Sequence, residues 1–386
     1  MNIEKVLVIG YSTRYIVCSG KRAGYKMYAI DHFDDLDLLG CADFFLLFGK
    51  QPLDIPSEKE IIDYIGDLKI EFDAIILGAL FERMKLDKLR DFILNNEFKV
   101  MKKATNKAWV SKQLDRLDIP HPKTYTLDNM GYPSIAKPKF GAGGAENFLI
   151  KNESDLPPDP SFKDSYLFQE YIFGKPASVS LISTKDEVVP IAINEQIIGK
   201  KWLGQTFPFA YCGNITPFIP SRTEIAEVMC EIAKDLILEL GLVGSNGVDF
   251  IVTDDEVFVI EVNPRFQSSL DTVELSTGIN IFDAHVRAFD SDSGGLGDLG
   301  GLVDKLGKTG PKKFASKAIV YANQEFVLKK DLNKIGIADI TPVGRAIFAD
   351  DPVATAIGVG KSRAKAICST MENVFFIKRA VRGSFS

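Results

Sequence analysis

Apolar runs closed by glycine or by polar stretches set the pattern of the first hundred residues. Lys5-Val6-Leu7-Val8-Ile9 ends at Gly10, a polar stretch with Ser12 and Arg14 follows, and a second run from Tyr25 to Ile30 ends on Asp31. Strand, turn, helix, strand is the start of an open parallel α/β sheet, and Phe72-Asp73-Ala74-Ile75-Ile76-Leu77-Gly78 predicts a later strand of it. The glycines do not fit the G-x-G-x-x-G fingerprint of dinucleotide binding, and Asp31 reads as a cap or turn residue.

Near Met101 the apolar period becomes helical. Asn106 is placed to cap a helix whose Val110, Leu114 and Leu117 share one face, and the helix must end before Pro120. A second helix is predicted from a capping box, Ser221-x-x-Glu224, through Ile225, Val228, Met229, Ile232, Leu236 and Leu240 to Gly241, with a stripe that is core. From Asp290 to about Thr309 the chain is rich in Gly, Asp and Ser, the composition of a linker or exposed loop. Beyond it, short apolar runs (Ala318–Tyr321, Gly344–Phe348, Val353–Ile357) predict a small β-rich domain closing with one helix.

The densest pattern is Val248-Asp249-Phe250-Ile251-Val252, Thr253-Asp254-Asp255-Glu256, then Val257 through Arg265: two apolar strands around an acidic turn. Each strand carries a carboxylate where a core residue would be cheaper. Glu261, Asn263 and Arg265 recur at period two and share a face, a set that suits a hard divalent cation. In a regular hairpin Asp249 opposes Glu261 only across an odd loop, such as Asp254-Asp255-Glu256; a two-residue loop puts the carboxylates on opposite faces.

Composition narrows the function classes. With 386 residues, 25% charged and a net charge of −6, the chain holds several domains and shows no basic footprint for nucleic acid. It contains no apolar run of about 18 residues, the length of a membrane span. The N-terminus enters a strand directly, unlike a signal peptide. Cys18, Cys41, Cys212, Cys230 and Cys368 form no Cys-x-x-Cys pair, which speaks against zinc ribbons and disulfide frameworks and for a reduced, cytoplasmic protein of buried or bystander thiols. His32, His121 and His285 lack ligand spacing and read as structural, His285 being expected to come nearest the site.

Four further places bear chemistry. Lys107 sits in the first turn of its helix, where a cation opposes the helix dipole unless an anion binds there too. Lys137 ends a strand just before Gly141-Ala142-Gly143-Gly144, a loop open to phosphate oxygens yet equally a flexible hairpin, and not a Walker loop. Gln169-Glu170-Tyr171-Ile172 reads either as a strand whose main chain meets a purine edge, with Glu170 a polar contact beside it, or equally as an edge strand that carries a glutamate. Tyr211–Pro217 reads as a polar turn in an apolar region, either facing a substrate or simply turning the chain.

In this order (Lys107, Lys137 with the glycine loop, Glu170, then Ile260-Glu261-Val262-Asn263-Pro264-Arg265) the chain closely resembles the ATP-grasp superfamily over roughly residues 1–290. Asn263-Pro264-Arg265-Phe266-Gln267-Ser268-Ser269 with Gly278 is nearest its carboxylase and carbamoyl-phosphate-synthetase side, and the C-terminal part resembles archaeal predicted ATP-dependent carboligases. The resemblance implies a fold of α/β and α+β domains: an N-terminal open parallel α/β sheet at 1–100, a two-lobed ATP-grasp domain at 101–290 (smaller lobe about 124–172), a linker at 291–312 and a β-rich C-terminal domain at 313–386.

It also implies roles. Lys107 and Lys137 match the phosphate lysines; Gly141, Gly143 and Gly144 the mobile phosphate cover; Glu170, Tyr171 and Ile172 the adenine hinge. Asp249, Glu261 and Asn263 match the ligands of Mg²⁺ (or Mn²⁺), and Arg265, with Lys137, the catalytic set. Asn214, Gln267 and Ser268 fall on the substrate side, where Lys200, Lys201 and Trp202 are placed to grip an anionic or planar group. The ribose acid that many members carry is replaced by Ala177 beside Ser178, and no biotin-carrier lysine motif occurs. The implied reaction is ATP-dependent joining of a small carboxylate and an amine through an acylphosphate, releasing ADP and phosphate. Two alternatives stay open: bicarbonate activated as carboxyphosphate, and an ATP-binding module without catalysis. The C-terminal domain is expected to complete the pocket, to make a homodimer, or both.

Overall fold

The computed structural model describes residues 3–49, 55–157, 162–289, 301 and 311–385. Its first sheet is parallel, with strands β1 (Lys5–Ile9), β2 (Lys26–Asp31), β3 (Phe44–Leu47) and β4 (Ala74–Leu77) in the order β3-β2-β1-β4. The chain starts in the middle, winds out to β3 and crosses to β4, so the crevice at the carboxyl ends of β1 and β4 is the place where such sheets bind ligands. Asp31 has the cap-and-turn role expected of it: buried, its carboxylate accepts from Thr13 N–H (2.6 Å), Thr13 Oγ1 (2.7 Å) and Phe33 N–H (2.7 Å).

The second sheet is small and antiparallel: β5 (Thr124–Tyr125), β6 (Ser134–Pro138), β7 (Phe148–Ile150) and β8 (Tyr166–Glu170), ordered β5-β8-β6-β7. The helix before it runs over Lys107–Arg116, with Asn106 Oδ1 accepting from the amides of Ala108 and Trp109, as its sequence predicts. The third sheet has eight antiparallel strands. These are β9 (Lys175–Ser183), β10 (Val188–Ile198), β11 (Tyr211–Thr216), β12 (Gly244–Val252), β13 (Val257–Asn263), β14 (Phe314–Tyr321), β16 (Ile337–Ala338) and β18 (Pro352–Gly360). Their order is β13-β12-β9-β10-β11-β14-β18-β16, while β15 (Phe326–Val327) and β17 (Ala346–Ile347) form a separate ribbon.

Strand alternation gives this large sheet two different faces. Ala177, Val179, Val248, Phe250 and Val262 point to one side and pack on Met229, Ala233 and Leu236 of the Thr223–Glu239 helix. Burying each large side chain there stabilises the fold by about 1.5–3 kcal/mol. The other face carries Ser178, Asn194, Asn214 and Thr216, all buried and linked by side-chain bonds: Asn194 Nδ2 donates to Ser178 Oγ (3.2 Å), and Thr216 Oγ1 to Asn194 Oδ1 (2.6 Å). Strands from the C-terminal segment continue the sheet, because β14 pairs with β11 from Gly213↔Ala318 to Thr216↔Ala315. The Arg363–Arg382 helix covers their outer face through Val374 and Ile377.

Several sequence expectations are corrected here. Tyr211–Thr216 is an interior strand, not a turn; its polar residues pair across a buried polar face, which removed the apolar signature of a strand. Ser221 caps nothing: the helix starts at Thr223 with Arg222 as its N-cap and no side-chain cap bond. Cys18 and Cys41 form a disulfide, since the Arg14–Arg22 helix and the turn after the Leu36–Leu39 helix bring their Cα atoms to 4.9 Å; Cys212, Cys230 and Cys368 are free thiols. The predicted linker at 291–312 lies almost wholly outside the described residues. No helix among the described residues is long and apolar enough to cross a membrane.

Buried ions lock the three parts together. Arg14 makes a bidentate pair with Asp271 (2.8 and 2.9 Å) and a further bond to Asp339 (2.8 Å), so one guanidinium ties the first helix to the helix after β13 and to the C-terminal segment. Lys317 joins at 3.5 Å from Asp271. His285 is structural, and it lies in the core away from the site. Its Nδ1 accepts from Ser245 N–H (2.9 Å), which fixes the proton on Nε2, and Nε2 donates to Leu94 O (2.8 Å). Burial pushes its pKa down to about 4, although the Leu94 carbonyl opposes the shift. Unfolding restores an ordinary imidazole, so the unfolded chain binds the extra proton between pH 6.5 and about 4, and stability falls as pH drops through that window. His285→Gln is expected to remove about 3 kcal/mol of this acid destabilisation, read as a flatter slope of unfolding free energy in urea titrations across the window.

Candidate functional site

The antiparallel sheets enclose a cavity of about 540 Å³, and the residues that the sequence singles out for nucleotide, metal and catalytic roles line it, together with Asn214, Gln267 and Ser268. The two carboxylates at its floor meet by an unexpected route. Val252 pairs with Val257, leaving the four-residue loop Thr253–Glu256, which Thr253 N–H closes by donating to Glu256 O (2.9 Å). That even loop would set Asp249 opposite Ile260. A β-bulge shifts the register between Asp249 and Phe250: Phe250 pairs with Val259 but Asp249 with Glu261, and Ile260 is the extra residue. The odd-loop requirement is therefore corrected, while the juxtaposition it served is present.

Around this pair the charges interlock. Lys107 Nζ lies 2.9 Å from Glu261 Oε2 and donates to Gly141 O (3.0 Å). Asn263 Nδ2 donates to Asp249 Oδ2 (3.2 Å), and Arg265 NH2 donates to Asn263 Oδ1 (3.0 Å). Burial first, and Glu261 second, push the Asp249 carboxyl up to about 7. Glu261 goes the other way: burial works to raise it, but Lys107, Arg265 and Lys137 hold it below the ordinary glutamate value. Burial brings Lys137 down to about 8; only 4% exposed, it donates to Gln169 Oε1 (3.1 Å). Two partly buried carboxylates held side by side, with an amide oxygen next to them, are the donor chemistry that a small divalent cation satisfies, and its charge would relieve the repulsion that adds to burial in raising Asp249.

The glycine loop is docked over the cavity. Tyr211 N–H donates to Gly143 O (2.9 Å), and Gly144, at φ +75°, runs so close to the segment leading into β11 that an added Cβ would sit 2.3 Å from Phe209 O. Gly144→Ala is expected to undock the loop, since the left-handed backbone alone costs an alanine about 1–2 kcal/mol and the contact adds to it. Tryptic cleavage after Lys139 should accelerate about tenfold or more; an unchanged rate would show that the loop does not need the close approach. Gly247 serves the opposite wall: a side chain there would occupy the space of Gln267, which donates to Arg265 O (2.9 Å) and accepts from Ser180 Oγ (3.1 Å).

Glu170, Tyr171 and Ile172 form one edge of the cavity, with the Tyr171 amide already bonded to Pro133 O (3.1 Å). Ala177 faces the apolar side and does not line the cavity, whereas its neighbour Ser178, opposite Asp249, does. Asn214 and Ser268 line the far end, where Ile319 and Tyr321 of β14 complete the wall and Tyr321 OH donates to Tyr211 O (2.7 Å). The C-terminal segment thus completes the pocket. Lys200, Lys201 and Trp202 do not line it; Lys378 from the last helix bonds the Trp202 carbonyl and covers its ring. Sequence reasoning also missed Gln196, which bonds the Asp249 side chain, and Glu82, whose Oε1 stands 3.7 Å from Arg265 Nε. Gln196 was findable: Asn194 and Gln196 alternate within an apolar strand. Glu82 had no signal.

Residues 104–269 match the family model described as ATP-grasp domain. An uncharacterized protein of Methanocaldococcus jannaschii is 26% identical over 95% of this chain and 91% of its own. Among solved structures, biotin carboxylase from Campylobacter jejuni in complex with β-γ-ATP superposes with a TM-score of 0.74 at 15% identity, over 98% of this chain and 95% of that one. L-amino acid ligase from Bacillus licheniformis gives 0.71 at 16%, over 97% and 98%. Rhizobium etli pyruvate carboxylase gives 0.73 at 17%; the match covers 96% of this chain but only 37% of that longer one. At these identities the superpositions show a shared fold.

Proposed function

We propose, from the ATP-grasp domain that residues 104–269 form, that the chain is an ATP-dependent carboxylate–amine ligase acting through an acylphosphate. The observation that carries this reading is the linked set Lys107–Glu261 and Asp249–Asn263–Arg265 beneath a docked glycine loop, because holding a nucleotide needs no guanidinium placed beyond the carboxylates. Asp249, Glu261 and Asn263 are the residues that would hold Mg²⁺, which when bound supplies charge neutralisation to the nucleotide phosphates. Lys107 and Lys137 draw charge from the γ-phosphate as a substrate carboxylate attacks it, and the amides of Gly141–Gly144 cover that end from water. The products of this step are ADP and an acylphosphate. An amine then attacks the acyl carbon, the acyl C–O bond breaks and phosphate leaves with its electron pair, while Arg265, fixed by Asn263 Oδ1 and Phe266 O, faces the oxygen on which negative charge develops.

Phosphate release from ATP, measured with pairs drawn from amino acids, short aliphatic acids and simple amines, tests the reading. Release that requires both a carboxylate and an amine is expected. Release that depends on bicarbonate instead would assign the chain to carboxylation, the chemistry named for its biotin carboxylase neighbour.

A further inference from the structure

Glu82 is buried, with 8% of its surface exposed, and its Oε2 has no hydrogen-bond partner among the described residues. Leaving a carboxylate oxygen dry and unpaired is costly, and such a cost persists in a fold only when something completes the group. Its Oε1 stands 3.7 Å from Arg265 Nε, an ion-pair distance too long for a hydrogen bond, so Arg265 does not saturate it.

The place is as telling as the missing partner. Glu82 follows β4 at the switch point of the parallel sheet, and it lines a narrow cleft together with Lys107, Gly141, Glu261, Asn263 and Arg265. That cleft has room of about 20 Å³, the size of one water or one amine nitrogen. The next residue, Arg83, lies over the Phe140 ring at 4.6 Å, which fastens the Glu82 turn to the glycine loop. The docked loop therefore comes with Glu82 in position beside Lys107 and Arg265.

On the ligase reading above, we infer that Glu82 receives the nitrogen of the acceptor amine. The acceptor enters as an ammonium ion, whose N–H donates to Oε2 and supplies the missing partner. One proton passes from nitrogen to the Glu82 carboxylate, and the freed lone pair forms the C–N bond at the acyl carbon. The C–O bond to phosphate then breaks, with its electron pair leaving on phosphate, and the second nitrogen proton goes to the leaving phosphate. Arg265 and Glu82 divide the work: the guanidinium faces the carbonyl oxygen and the carboxylate faces the nucleophile.

The test compares two nucleophiles on the full chain, with Mg-ATP and the panel of amino acids and short aliphatic acids. Ammonium chloride needs a proton acceptor, whereas hydroxylamine is largely uncharged at neutral pH and captures an acylphosphate as a coloured hydroxamate. Glu82→Gln is expected to lower amide formation from ammonium at least a hundredfold and to raise its KM, while hydroxamate formation falls less than tenfold; Glu82→Asp should recover part of the ammonium reaction. Equal losses with both nucleophiles would overturn the inference, making Glu82 a support for Arg265, as would an unchanged ammonium KM. If the unaltered chain forms no hydroxamate from any acid, the ligase reading itself falls and the inference with it.

Discussion

Glu261→Gln is expected to lower ATP-dependent phosphate release by about a hundredfold or more, with little change in fold stability. The glutamate is the partner of Lys107 at 2.9 Å and faces Asp249 across the bulged hairpin. Glutamine keeps the size and an oxygen for the Lys107 ammonium but removes the charge a divalent cation requires. Two stability effects then oppose each other. The buried pair with Lys107 weakens, whereas Asp249 loses the like charge that, after burial, does most to raise its pKa. Phosphate release titrated against Mg²⁺, with a thermal melt of the same sample, checks both halves; retention of wild-type release would remove Glu261 from the reaction.

Arg265→Lys is expected to separate binding from turnover. The guanidinium uses Nε towards Glu82, NH1 towards Phe266 O and NH2 towards Asn263 Oδ1, a fork that an ammonium cannot reproduce. Product formation should fall about 10²–10³-fold, the usual effect of losing one oxyanion donor, while nucleotide affinity stays within about twofold. Calorimetric titration with ADP and a product assay give the two numbers. Parallel losses would mean that Arg265 holds nucleotide rather than the reacting carbonyl.

What was legible in the chain follows from how each feature is encoded. Asn106 and the Lys107 helix were readable because capping and period are local, and the three-glycine loop because its composition is extreme. The pairing of Asp249 with Glu261 was readable only in outcome. Bulges answer to packing against β9 and leave no mark in a two-residue period, so parity counting asked for an odd loop where Ile260 does the work. The interior strand Tyr211–Thr216 was hidden for a different reason: its polar residues are satisfied by Asn194 and Thr272 from other elements, contacts that no window of sequence contains. Glu82 belongs to that class, a lone acid in a turn whose meaning lies in residues nearly two hundred positions away. The Cys18–Cys41 bond was invisible because spacing rules look for repeated pairs, not for two elements that happen to pack.

The join between β11 and β14 has a consequence for how the chain is made. β11 is complete at Thr216, but the strand that covers its edge begins at Phe314. At about 5–20 residues per second, a ribosome needs on the order of ten seconds to cross that interval. Throughout it, β11 presents a row of unpaired amides and carbonyls to the cell, the template from which strand-to-strand aggregation starts. Nascent chains should therefore engage holdase chaperones most strongly between those two points, and shortened forms ending before β14 should accumulate as insoluble protein even though every residue of the carboxylate hairpin is present.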